Sequence, residues 1–372
     1  MTEAFQISIC TKSALAATSV RRGETKLGEE IKLLNNAEPG KLPQALADSV
    51  ASGARYALIG VPEDIGPRAN LGRGGAEKAW AAFLQFFVNM QANQFFDSSK
   101  ILLVGAVDLT SIHEQEKQMT GVDGKVSTTD LRQLCAQIDD LVHPIVRECV
   151  TAGLEPIVIG GGNNNSYPTI KGVVTALRKR HNDDSLSLAT VNCDPHADFR
   201  LIEGRHSGNP FTFADRDGFL KAYCVLGAHE NFNSRDMIDR MAERSYPLFF
   251  WDQSVRGEKT WEQQVASVID YLSKSKMISG IELDLDGIKN FPASAKTPFG
   301  ITEEQAFYFI HKVASALDSK YLHISEAAPQ YAEDGERMVG KVIAKTVIEY
   351  VCAREKYGSA KLAQSLAVLA RV

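Results

Sequence analysis

Short apolar runs that stop abruptly at glycine, proline or acidic residues recur through most of this chain, with amphipathic helical stretches between them. Residues 56–61 close on Pro62, 101–104 on Gly105, 156–159 on Gly160-Gly161-Gly162, and 188–193 on Asp194. Similar runs cover 223–227, 248–251, 277–283 and 321–324. Helical spacing marks 76–91, 128–151, 167–179, 234–244, 260–273, 302–317 and 338–352, with Thr128 or Thr129 as one cap and Thr302 with Gln305 as a capping box. Runs that are apolar at every position suit strands buried on both faces. Strands alternating with helices predict an α/β fold, a three-layer α/β/α arrangement with a mostly parallel central sheet. In such sheets ligands sit at the carboxyl ends of the strands. Residues 65–75, rich in glycine and arginine, read as a loop. Residues 1–53 lack the regular pattern, apart from a helix over 29–34, and are set apart as an N-terminal extension; 54–372 read as one domain.

Two of the runs end in acid. One gives Asp194-Pro195-His196-Ala197-Asp198, the other Asp284-Leu285-Asp286. Side chains two apart on a strand share a face. Asp194, His196 and Asp198 are therefore expected to project together from a strand end, as are Asp284 and Asp286. Ionisable groups gathered at a buried point repel one another unless a cation sits among them. Two such strand ends predict a two-metal site.

Composition narrows the alternatives. A formal net charge of −5 offers no basic face for nucleic acid. The one basic stretch, Arg178-Lys179-Arg180-His181, ends a helix, where cations complement the dipole. No Gly-Lys-Ser/Thr follows Gly160-Gly161-Gly162, so these glycines are not a nucleotide-binding P-loop. The six cysteines have no CxxC spacing, which fits reduced thiols. No apolar run is long enough for a membrane span. Residues 1–5 lack the basic start and long apolar stretch of a signal peptide. A cytoplasmic protein is expected.

Taken together the motifs resemble the arginase–agmatinase–formimidoylglutamase (ureohydrolase) superfamily. The matching segments are Gly60-Val61-Pro62-Glu63-Asp64, Gly160-Gly161-Gly162-Asn163-Asn164, Asp194-Pro195-His196-Ala197-Asp198, Ser207-Gly208-Asn209-Pro210, Asp284-Leu285-Asp286-Gly287 and Ser325-Glu326-Ala327-Ala328-Pro329, in the family's order. Pro62-Glu63-Asp64-Ile65-Gly66, Gly204-Arg205-His206-Ser207-Gly208 and Gly227-Ala228-His229-Glu230-Asn231 point to its formimidoylglutamase-type members. The resemblance implies an arginase-like fold and two Mn²⁺ ions per subunit. One ion would be held by Asn163, Asp194, Asp198 and Asp284, the other by Asp194, His196, Asp284 and Asp286. A carboxylate-rich, imidazole-poor set suits such a hard ion. Asp198 and Glu326 would be the catalytic carboxylates, with Glu326 pairing with a cationic amidine or guanidine. Arg200, Arg205, Ser207 and Asn209 would read the rest of the substrate, with Arg68 and Arg73 as alternative cations. The implied reaction is hydrolysis of N-formimidoyl-L-glutamate to L-glutamate and formamide in histidine degradation. The family's trimers and hexamers leave room for a homo-oligomer.

Three departures qualify this. Asn163 stands where the family usually has histidine, so the ion there is expected to bind weakly. Phe211 stands where arginases carry a proton-shuttling histidine, and His206, just before the motif, is the nearest substitute. Lys289-Asn290 replace an aspartate and proline. Hydrolysis of a guanidino compound is the rival reaction. Asn163 also leaves open a metal-deficient relative that binds a ligand without catalysis.

Overall fold

The structure, a computed structural model, describes residues 5–10, 15, 21–34, 40–121 and 124–369, with side chains to residue 358. Among the described residues ten strands form one sheet: β1 (Ile7–Ser8), β2 (Lys32–Leu33), β3 (Tyr56–Gly60), β4 (Ile101–Val107), β5 (Glu155–Ile159), β6 (Leu188–Cys193), β7 (Leu220–Ala228), β8 (Leu248–Phe250), β9 (Ser279–Asp284) and β10 (Ser319–Ser325). Their order is β1-β4-β3-β5-β10-β9-β6-β7-β8, and β2 also pairs with β4. Every pairing is parallel except that of β1 with β4.

Alternate side chains of each strand enter opposite apolar layers. On β3, Tyr56 and Leu58 face the helices Ala79–Phe87 and Glu336–Leu369, and Ala57 and Ile59 face Thr128–Ala152 and Ser166–His181. Burial on both faces is why these runs carry no polar alternation. The architecture is the three-layer α/β sheet expected.

The differences from the sequence reading are local. Residues 65–75 are not wholly loop, because Ile65–Ala69 forms one helical turn with Ile65 and Ala69 buried. Five residues are too few for periodicity to register. The helix expected over 29–34 is Leu27–Glu30 followed by β2. Ser127, rather than Thr128 or Thr129, caps its helix by accepting the Asp130 N–H at 3.1 Å. The Thr302–Gln305 capping box forms. The last helix, Glu336–Leu369, runs on past 352. Apolar residues at helical spacing in 361–372 suit packing on the core or against another subunit, but the side chains of that stretch lie outside the described residues. Among the described residues no helix is long and apolar enough to cross a membrane, and all six cysteines are free.

For the site, the decisive feature is the central quartet β5-β10-β9-β6. In register, Ile159 pairs with Ile324, Ser325 with Asp284, and Leu283 with Cys193. The carboxyl ends of these four strands are therefore level, and the motifs that follow them converge.

Candidate metal centre

Asp194 follows directly on β6, and the chain turns there rather than continuing as strand. Asp198 adopts a left-handed φ of 43°, a conformation that aspartate tolerates better than most residues. This turn, not a period of two, brings Asp198 back beside Asp194. Asp284 arrives from the tip of β9. One carboxylate oxygen from each of Asp194, Asp198 and Asp284 lies within 4.8 Å of the other two, all buried. The Asp286 N–H donates to Asp284 Oδ1 at 2.8 Å, and Asp286 Oδ1 accepts the Ala295 N–H at 2.9 Å. His196 sits against the same group: its N–H donates to Asp194 Oδ1 at 2.7 Å and its Nδ1 lies 3.3 Å from that oxygen. The ring stacks on Phe232 at 5.6 Å.

Asn163 opens a 3-10 turn after β5 and is wholly buried. Its Nδ2 lies 2.7 Å from Asp198 Oδ2 and 3.3 Å from Asp194 Oδ2, and its Oδ1 lies 2.7 Å from Ser166 Oγ. The glycine turn that delivers it is moulded around Glu63. That buried carboxylate accepts N–H groups from Gly66 (3.0 Å) and Gly162 (2.8 Å) and the Asn165 amide (2.7 Å). Gly161, at φ +70°, has no room for a Cβ, which would lie 2.6 Å from Glu63 Oε1. Glu326, just past β10, holds φ 65°. Its Oε1 accepts the Asn163 N–H at 2.7 Å and its Oε2 accepts the Ser294 hydroxyl.

The electrostatics of this cluster are those of a group short of positive charge. Burial first, and then Asp194 and the other carboxylates, push Asp198 and Asp284 well above the usual range. Burial and then Asp286 do the same to Glu326. Burial opposes charge on the His196 imidazole, yet Asp194, Asp198 and Asp286 lift it to about 9. Oxygen donors with one imidazole, buried and mutually repelling, fit a hard divalent cation.

The group floors a cavity of about 180 Å³, lined by His196, Asp198, Asp284, Asp286 and Glu326. Arg200, Ser207, Pro67, Leu71, Phe232 and Met237 also line it. Arg200 is exposed and makes no ion pair among the described residues.

The other cations named from the sequence are engaged elsewhere. Arg205 is buried, donates Nε and Nη2 to Asp139 (2.6 and 3.2 Å), Nη2 to Asn164 O (2.8 Å) and Nη1 to Asn209 Oδ1 (3.0 Å), and lies over the rings of Tyr167 and Phe213. Asn209 donates back to Leu201 O and Gly204 O. Arg205 and Asn209 thus shape the 200–209 loop and do not line the cavity. Arg68 pairs with Asp64 and Glu116. Arg73 donates to Ser294 O and Ala293 O and stacks on Tyr331. Phe211 is buried against Tyr223, with centroids 4.3 Å apart. His206 faces the loop interior, where burial and then Arg132 hold it down to about 3.

The sequence reading missed Ser294, which joins Glu326 to Asp286, and Phe232, which backs His196. Phe232 directly follows the His229-Glu230-Asn231 segment, a signal that was available. Ser294 lies in an irregular segment with none.

A family model, that of the arginase family, matches residues 54–352. The formimidoylglutamase of Psychrobacter cryohalolentis is 25% identical over 318 residues, covering 81% of this chain and 87% of that protein. That of Salmonella arizonae is 23% identical over 287 residues, 76% of this chain and 80% of that one. Among solved structures, the Bacillus subtilis formimidoylglutamase has a TM-score of 0.68 at 17% identity, covering 91% of this chain and 95% of that one. The Trypanosoma cruzi formiminoglutamase, solved with Mn²⁺, has a TM-score of 0.64 at 19% identity, covering 89% and 98%.

Proposed function

Since the chain belongs to the arginase family, we propose that it is a two-manganese hydrolase of linear amidines, with N-formimidoyl-L-glutamate as its substrate. The observation that carries this reading is the convergence of Asp194, Asp198 and Asp284 within 4.8 Å, beneath a cavity that Glu326 also lines. On the family pattern Asn163, Asp194, His196, Asp198, Asp284 and Asp286 would hold the ions. Bound divalent ions supply an activated water near neutral pH.

The remaining work falls to the protein. Glu326 is held by the Asn163 N–H and the Ser294 hydroxyl, leaving lone pairs for the two parallel N–H groups of a planar amidinium. That pairing orients the electrophilic carbon above the acid cluster. Arg200 takes a carboxylate at the mouth, with Ser207 beside it. Pro67, Leu71, Phe232 and Met237 give the substrate's aliphatic part an apolar wall that limits water.

A second reading has its own support. Among the described residues, Arg200 is the only arginine or lysine on the cavity wall, whereas formimidoylglutamate carries two carboxylates. A guanidino acid with a single carboxylate matches that count. The Mn²⁺-supplemented protein is therefore to be offered formimidoylglutamate, 4-guanidinobutyrate, arginine, agmatine and guanidine. Glutamate and formamide in equal amounts from the first is the expected result. Urea from guanidinobutyrate alone would favour the second reading, and turnover of none would leave a non-catalytic binding protein.

A further inference from the structure

The Asn163 side chain lies between two sets of neighbours. Asp194 and Asp198 are on one side, and the hydroxyls of Ser166 and Ser325 are on the other, at 2.7 and 3.3 Å from Oδ1. The two ends of a primary amide have nearly the same shape. Which end points where follows from which neighbours donate and which accept.

Ser166 has one proton. Its Oγ lies 2.7 Å from Asn163 Oδ1, 2.9 Å from Glu282 Oε2 and 3.2 Å from His323 Nδ1. All of these groups are buried. Glu282 also accepts the Tyr321 hydroxyl on Oε1 at 2.6 Å and lies 2.6 Å from His323 Nδ1 through Oε2. Among the described residues His323 Nε2 has no hydrogen-bond partner. A bare acceptor there is cheaper than a bare donor, so the imidazole proton belongs on Nδ1, aimed at Glu282. His323 then cannot accept from Ser166. A hydrogen bond to a carboxylate is stronger than one to a neutral amide, so the Ser166 proton also goes to Glu282. Ser166 has only lone pairs left for Asn163, and these match the amide nitrogen rather than its oxygen. The carboxylates on the far side favour that nitrogen only while no cation lies among them. With a cation bound, the carboxylates no longer hold the nitrogen, and the contact with Ser166 at 2.7 Å outweighs the longer one with Ser325 at 3.3 Å: nitrogen toward Ser166, oxygen toward the metal.

We propose that Ser166 and Glu282, neither of which lines the cavity, are positioning residues that turn Asn163 so that its amide oxygen faces the metal. They make an effective ligand of a neutral side chain. This rests on the metal-centre reading above, and the test separates the two.

Chelator-treated protein is titrated with Mn²⁺ and free Mn²⁺ is followed by electron paramagnetic resonance. Ser166→Ala and Glu282→Gln are each expected to weaken one Mn²⁺ site by about 10–100-fold, the usual effect of losing an outer hydrogen-bond partner. Ser166→Thr, which keeps the hydroxyl, binds as wild type does. The double variant is no weaker than the worse single one, because both act through one hydrogen bond. Should Ser166→Ala fail to fold, Glu282→Gln in an Asn163→His background carries the test. No amide has to turn there, so the affinity is expected to stay unchanged by Glu282→Gln. Single variants that bind like wild type would overturn the positioning role while leaving the metal centre standing. A Glu282→Gln loss that persists without the Ser166 hydroxyl, or with His at 163, would reduce Glu282 to a nearby charge and overturn it as well. Wild type that binds no Mn²⁺ would sink the metal centre itself.

Discussion

Arg205 and Arg200 are five positions apart in one loop, yet their surroundings differ completely. Arg205 is sealed between Tyr167 and Phe213 with Asp139 as its ion partner, whereas Arg200 is exposed on the cavity wall. Removing one member of a buried ion pair strands the other. Arg205→Met is expected to lower stability by about 3–5 kcal/mol in urea unfolding. The folded fraction should keep its KM, whereas a substrate-reading role would raise KM without that stability loss. At Asn163 the expectation concerns donor strength. An amide oxygen is a weaker ligand than imidazole, so Asn163→His should retain more Mn²⁺ through gel filtration, measured as metal per chain. Equal metal content would place position 163 outside the coordination sphere. The weak donor at Asn163 could be read from the sequence, but the separation of Arg200 from Arg205 could not: both were polar members of matching motifs, and side-chain destination depends on what packs around each one.

The helical turn Ile65–Ala69 and the residues after it supply Pro67, Asn70 and Leu71 to the cavity. Two carboxylates pin it. Glu63 gathers the glycine turn and the Gly66 N–H from inside, and Glu116, on the helix Thr110–Gln118, holds Arg68 from outside. His113 first, and Arg68 after it, hold the Glu116 carboxyl down to about 2 against the effect of burial. The sign follows from linkage. A carboxyl lowered on folding contributes stability that is complete above its unfolded value of 4.5 and is lost as pH falls toward 2. Glu116→Gln should therefore melt below wild type at pH 5–7, with the gap narrowing steadily as pH drops toward 3, as read by differential scanning calorimetry. A constant gap would mean that the clamp is not ionic. From the sequence this segment was legible as a loop bearing arginines, but a single helical turn and a clamp from a helix some fifty residues away leave no periodic trace.

Across the whole molecule, the acid cluster sits at the tips of four strands that are adjacent in the sheet but come from two separate stretches of the chain. Mutual repulsion makes it a burden without metal, so cation binding and folding are coupled. At a free Mn²⁺ concentration 100-fold above its Kd, stability should rise by about 2.7 kcal/mol. A calorimetric melting temperature that rises with Mn²⁺ and falls back with chelator checks this, and one indifferent to both would deny the site its metal. The α/β class, the strand positions and both acidic strand ends could be read from the amino-acid order, because burial on both faces and turn chemistry are written in near neighbours. The order β5-β10-β9-β6 could not, nor could the left-handed turn that returns Asp198 to Asp194, the place of Ser294 beside Glu326, or the separate fates of Arg200 and Arg205. Those depend on which distant segments share the packed interior, and there the energy of each residue is set by contacts that its neighbours in the chain do not make.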